Sequence, residues 1–165
     1  MKYLLIGLVA LVAVGSIVFW GKPHADFNSI PYQDSLAISA GKTIYDTNCA
    51  ACHGANLEGQ LNWQKRSTEG YLPAPPHDET GHTWHHPDKM LFEFTKYGLQ
   101  MFAGTDYKSI MPAYEGKLTD EEIWRVLAFI KSKWPDEIQK KHTEAFSRYT
   151  TLSAPSTLRT NVASQ

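Results

Sequence analysis

The chain has only two cysteines in 165 residues, too few for a disulfide-stapled secreted scaffold. It also lacks an excess of either charge. Sixteen Lys and Arg against 17 Asp and Glu leave a formal net charge of −1, which gives no electrostatic support for nucleic-acid binding. No internal repeat is present. Charge is missing altogether from residues 3–20, YLLIGLVALVAVGSIVFW.

That last absence is the strongest compositional break in the chain. At about 1.5 Å per residue, 18 residues span roughly 27 Å, near the thickness of a bilayer core. Lys2 and Lys22 flank the run, and Trp20 sits where an interfacial aromatic belongs. A cleaved signal peptide is the rival reading, but its apolar region is shorter, about 7–15 residues, and ends in an A-x-A-like site. The nearest match, Pro23-His24-Ala25, has no small residue three places before the cut. A retained transmembrane anchor over residues 1–20 is therefore expected. Lysines at both ends nearly balance, and the free amine favours an N-terminus on the inside.

Residues 21–35 read as a polar linker, with Pro23 and Pro31. A domain is expected over 36–135 and a tail over 136–165. Leu36, Ala37, Ala40, Gly41, Ile44 and Tyr45 fall at helical spacing, with Asp34 or Ser35 available as N-cap. This helix runs straight into Cys49. Gly41 within it costs about 1 kcal/mol against Ala, which close contact with another helix would offset. Residues 54–86 read as loop. A second helix is expected from Pro87 and Asp88 to a stop at Gly98, carrying Leu91, Phe92, Phe94 and Tyr97. Residues 99–118 form another loop. Thr119-Asp120-Glu121-Glu122 is a capping box. Ile123, Val126, Leu127, Ile130 and Trp134 then line one face, and Pro135 ends the helix. A short further helix is expected near Ile138–Tyr149, with a loose Ser/Thr/Ala-rich end beyond it.

Both cysteines lie in Asn48-Cys49-Ala50-Ala51-Cys52-His53-Gly54. Zinc would need about four ligands, and there is no second cysteine pair. A thioredoxin-like dithiol needs a βαβ setting, whereas these surroundings read as helix and loop. A plain structural disulfide is weaker still. C-x-x-C-H is also the attachment motif for c-type haem. Two thiols three apart can each form a thioether to one haem vinyl group, and His53 then falls under the iron. Covalent attachment lets a short chain fold around a large apolar disc.

In GKTIYDTNCAACHG, SIMPAY and LTDEEIWRVLAFIKSKWP, in that order, the chain resembles class I c-type cytochromes with a single haem, over about residues 36–135. The resemblance implies an all-α cytochrome c fold, one covalent haem c and a His/Met-ligated iron. Met111, in Ser-Ile-Met-Pro and 58 residues after His53, is the expected distal ligand. Met101 shares its loop, and Met90 reads as core filler. In the family a proline carbonyl receives the axial histidine's ring N–H, so Pro75 or Pro76 is expected to do so here. Trp84 is expected either to hydrogen-bond a haem propionate or to serve as packing. The family's first and last helices cross closely, which gives Gly41 a reason, with Trp124 or Leu127 as the residue it admits.

His77, His82, His85 and His86 crowd one segment. They read either as a second metal site or as propionate partners and helix caps, and the latter is preferred because no ligand geometry follows from a loop. The implied function is single-electron transfer by a membrane-tethered carrier. It would act as a shuttle between membrane redox complexes or as a haem subunit of a respiratory or photosynthetic one. The domain, with ten basic and twelve acidic side chains, has no dominant docking field. Alternatives are an open-iron peroxidase or gas sensor, and metal delivery through the histidine loop. Attachment of this haem type outside the bacterial cytoplasm implies a single-pass inner-membrane protein with its haem domain in the periplasm.

Overall fold

The computed structural model describes residues 29–104 and 106–153. The anchor expected over residues 1–20, most of the linker and the end of the tail lie outside the described residues. Among the described residues there are no strands, and no helix is long and apolar enough to cross a membrane. The helices are α1 (Ser35–Asn48), α2 (Ala50–His53), α3 (Asp88–Tyr97), α4 (Gln100–Ala103), α5 (Asp120–Ser132) and α6 (Asp136–Ser153), with a 3-10 turn at Thr83–His85. This turn and α4 fall in segments that read as loop, where stretches this short leave no periodic signal.

Asp34 caps α1. Its Oδ1 accepts from the amides of Leu36 at 2.9 Å and Ala37 at 3.2 Å, satisfying two of the donors that a helix start leaves open. Ala37, Gly41 and Tyr45 are buried, one residue every four. Leu36, expected on the same face, is 80% exposed. It is rotated about 100° from that line, and the line is too narrow to include it. At α3 the structure makes a smaller correction. Pro87 is the N-cap, with extended ψ, and Asp88 is the first helical residue.

Helix α5 opens with the expected capping box. Thr119 Oγ1 accepts from Glu122 N at 3.2 Å, and Glu122 Oε2 accepts from Thr119 N at 2.8 Å. From Ile123 to Lys131 all but Arg125 is buried, because α1 and α3 both pack on α5. The α1–α5 pair is the main helix–helix interface. Gly41 is the point of closest approach, but neither Trp124 nor Leu127 fills it. A Cβ there would overlap the Arg125 carbonyl and meet Phe129 Cβ at 3.1 Å. Phe129 is also the aromatic that packs on Tyr45, at 5.2 Å between centroids. Trp124 instead stacks on Phe92 of α3, at 4.7 Å and 17°. Positions 125 and 129 lie on the α1 side of the helix, and 124 faces α3.

Asp88 joins three parts of the chain. It accepts from the backbone amide of Ile30 at 2.9 Å and pairs with buried Lys131 at 3.1 Å. The Lys131 ammonium also lies 4.7 Å from the Tyr32 ring centre. Burial pulls the Lys131 pKa down, and Asp88 opposes this. The third part is α6, which begins directly after Pro135 and is longer than expected. Its His142 is 2% exposed. Nε2 donates to the His86 carbonyl at 2.9 Å and lies 3.6 Å from Asp88. Its ring packs on Trp134 at 5.1 Å and on Phe146 at 5.0 Å. The other nitrogen, Nδ1, is buried with no hydrogen-bond partner. Protonating it would bury an unpaired N–H beside Lys131, so burial first and Lys131 second hold the imidazole below its usual pKa.

Two outcomes follow from this packing. Gly41→Ala should destabilise the holoprotein by about 1–3 kcal/mol in denaturant unfolding, as overpacked cores do, and Gly41→Leu by more; unchanged midpoints would refute the close crossing. His142 and His86 are both held below 6.5 when folded, His86 by burial and then by His82 and His85. Their stabilisation is therefore complete above the unfolded value of about 6.5 and is lost as pH falls below it, because the unfolded chain then binds more protons. Unfolding free energy should decline between pH 7 and 5, less steeply in His142→Phe.

Candidate functional site

Cys49 ends α1 and begins α2. Its amide donates to the Tyr45 carbonyl at 2.8 Å, and its carbonyl accepts from His53 N at 2.9 Å. One helical turn thus carries Cys49, Cys52 and His53. The two thiols are not bonded to each other; Cys49 is half-buried and Cys52 exposed. Burial pushes the Cys49 thiol up to about 11, against a Tyr114 hydrogen bond that lowers it. A redox dithiol works through a depressed thiol pKa, so this is the wrong environment for that reading.

His53 is 7% exposed. Its Nδ1–H donates to the Pro75 carbonyl at 2.8 Å, which settles the choice between Pro75 and Pro76. This bond fixes the tautomer and leaves Nε2 with its lone pair. Burial lowers the ring's pKa, and the Pro75 bond opposes it. A neutral imidazole with one nitrogen tied to a carbonyl is the usual state of a metal-ligating histidine. The loop bearing Pro75 is held by Gln60. Its amide donates to the Ala74 carbonyl, and its Oε1 accepts from Ala74 N, both at 2.9 Å. Gly59, at φ +68, lets the chain pass against Pro75-Pro76, because a Cβ there would lie 2.6 Å from the Pro75 carbonyl carbon.

Two tyrosines that sequence reasoning did not place at the site brace the motif. Tyr45, fully buried, donates its hydroxyl to the Gly54 carbonyl at 2.8 Å. Tyr114 donates to the Asn48 carbonyl at 2.7 Å. Burial and the nearby thiols push the Tyr114 phenol up to about 12. Tyr114 N also donates to the Thr95 and Lys96 carbonyls, each at 3.1 Å. The segment from Met111 to Glu115 is therefore tied both to the end of α3 and to the residue before Cys49. Met111 is half-buried, with its amide on Ser109 Oγ, whereas Met101 is 65% exposed. Met90 lies on α3.

Trp84 donates its indole N–H to the Glu79 carbonyl at 3.2 Å and stacks on His85 at 3.7 Å. The N–H that the resemblance assigns to a propionate is thus engaged within its own loop. His82 lies 4.9 Å from both His85 and His86. Among the described residues no group of three or more His, Cys, Asp or Glu is placed to hold a metal ion. His77 stands apart from these three, stacked on His53 at 3.9 Å.

A covalent haem fits this arrangement. Two free thiols and a free His53 Nε2 sit on one turn. Among the described residues, five of the six exposed large hydrophobics, namely Leu61, Tyr71, Met101, Phe102 and Ile110, come from the two long connections. Lys108 joins those connections by donating to the Glu69 carbonyl at 2.7 Å. Apolar side chains left open in this way suit a large apolar group that would cover them.

Residues 38–134 match the family model described as cytochrome c. The chain belongs to the cytochrome c family. Its cofactor is accordingly covalently bound haem c. This cytochrome is 32% identical over 97 residues to the cbb3-type cytochrome c oxidase subunit CcoP of Azospirillum brasilense, covering 59% of this chain and 28% of that one. It is 28% identical over 95 residues to cytochrome c6 of Leptolyngbya boryana, covering 58% of this chain and 91% of the other. The chain spans under a third of the length of the oxidase subunit. Among solved structures, cytochrome CL of Methylophaga aminisulfidivorans is similar at 27% identity with a TM-score of 0.47, covering 72% of this chain and 70% of that one.

The brace from Tyr114 is directly testable. Tyr114→Phe removes one partly buried hydrogen bond to the Asn48 carbonyl, so it should cost about 1 kcal/mol of stability, read by denaturant unfolding of the holoprotein. No loss would mean that the bond does not brace the motif.

Proposed function

We propose that this cytochrome is a monohaem, membrane-tethered carrier of single electrons. The observation that carries the reading is His53, presented on the C-x-x-C-H turn with Nδ1 tied to Pro75 and Nε2 free. Bound haem supplies a one-electron couple. The chain's own residues do the rest. Cys49 and Cys52 would hold the group, and His53 and Met111 would supply a nitrogen and a sulfur to its iron. Pro75 orients His53, and Tyr114 holds the Met111 segment against the end of α1. With those residues held in this frame, a change of redox state would require little rearrangement of the protein, and the two side chains would keep water and small ligands from the metal.

The uncharged run at residues 3–20 supports a single transmembrane span. In this reading the N-terminus is inside and the haem domain lies on the periplasmic side of a bacterial inner membrane. A tether raises the local concentration of the carrier near membrane redox complexes. The name of one relative, a cbb3-type cytochrome c oxidase subunit, supports the subunit form of the proposal, and the tether supports the shuttle form equally. Detergent extraction of the full chain separates them. Tight co-purification with an oxidoreductase makes it a subunit, and elution alone makes it a tethered shuttle.

Met/His ligation raises the reduction potential. Met111→His should therefore lower the potential and abolish the Met–iron absorption band of the oxidised protein. Met101→Ala should leave both unchanged. The wild-type protein should not bind carbon monoxide; ready binding would favour an open-iron peroxidase or sensor instead.

A further inference from the structure

We infer that His77 is a positioning residue for the axial imidazole of His53, fixing its plane by face-to-face stacking and keeping water from the side of the ring. This rests on the reading of His53 as an iron ligand. The two rings lie 3.9 Å apart at 20°, close to parallel and in contact over their faces. The Pro75 bond fixes one edge of the His53 ring. A hydrogen bond at one edge leaves the ring free to rock about that edge, and a flat ring against the face stops the rocking.

His77 is itself held from three directions. Its amide donates to the Leu57 carbonyl at 2.8 Å. Its carbonyl accepts the indole N–H of Trp134 at 2.8 Å. Its Nδ1 shares a 2.6 Å hydrogen bond with Oγ1 of the buried Thr83. Leu57, which receives the amide, is 3% exposed and takes φ 71°. A non-glycine residue in that left-handed region is strained and persists only where its surroundings over-determine it. Three anchors from separate segments, one of them strained, are more than a surface histidine needs. They are what a supporting ring behind a metal ligand needs if the ligand is to be held to one orientation. Trp134, at the end of α5, links this support to the packing around α6.

The test uses the full-length holoprotein with three variants, His77→Ala, His77→Phe and Thr83→Val. Haem content is read by pyridine haemochrome, the axial ring plane by the low-spin ferric electron paramagnetic resonance g values, and the couple by its midpoint potential. His77→Ala should keep its covalent haem, shift the g values and lower the potential, since water reaching His53 favours the more charged ferric state. His77→Phe restores a flat face without hydrogen bonding and should return both readings toward wild type. Thr83→Val should give intermediate shifts with full haem content, and it carries the test if His77→Ala fails to mature. Wild-type g values and potential in His77→Ala would overturn the inference. So would wild-type values in Thr83→Val, or shifts in His77→Phe as large as in His77→Ala. A wild-type protein without a low-spin, histidine-ligated ferric signal would instead overturn the ligand reading.

Discussion

The structure depends on how closely α1 can approach α5. At Gly41 the absence of a side chain lets the Arg125 backbone come within a distance that any Cβ would forbid. Phe129 then packs on Tyr45. Tyr45 in turn receives the Cys49 amide on its carbonyl and holds the Gly54 carbonyl with its hydroxyl. The position of the attachment turn is therefore set by a helix crossing two turns upstream. Displacing α5 by one methyl group would move Phe129, Tyr45 and the turn together, because packed interiors shift as units.

Hydrogen bonds to backbone carbonyls do most of the precise placement around the site. Pro75, Gly54, Asn48, Leu57 and His77 each offer a carbonyl to a donor from a distant segment or a neighbouring ring. A carbonyl depends little on the side chain above it, which is why such contacts leave almost no trace in residue identity. Except at Leu57, where the donor is the His77 amide, the side chains that reach them are Tyr, Trp and His, rings that can fill apolar space and still satisfy a buried group.

Helices α1, α3 and α5 were legible because each had a local signature. Asp34, the Thr119–Glu122 capping box, the stop at Gly98 and the spacing of Ile123, Val126, Leu127 and Ile130 all act within a few residues. The attachment motif was legible for the same reason, since both thiols and His53 fit in one turn. Gly41 was legible as a close approach but not in its partner. Helical spacing alone does not say which side of α5 faces α1, and Trp124 turned to Phe92 instead. The extent of α6 and the burial of His142 were hidden because a polar sequence gives little amphipathic signal. What buries that histidine is the His86 carbonyl, Asp88 and Trp134, all contributed by other elements.

Sequence by itself determined an all-helical domain, the C-x-x-C-H turn and the segment carrying Met111, because helix caps, apolar periodicity and covalent spacing are short-range properties. Only the tertiary structure decided that Pro75 rather than Pro76 orients His53, that Tyr114 ties the Met111 segment to Asn48, and that His77 out of four clustered histidines stacks on His53. Each of those outcomes joins residues 22 to 66 positions apart. Which of several chemically equivalent neighbours meets a distant partner depends on how the intervening chain packs, and no local pattern encodes that.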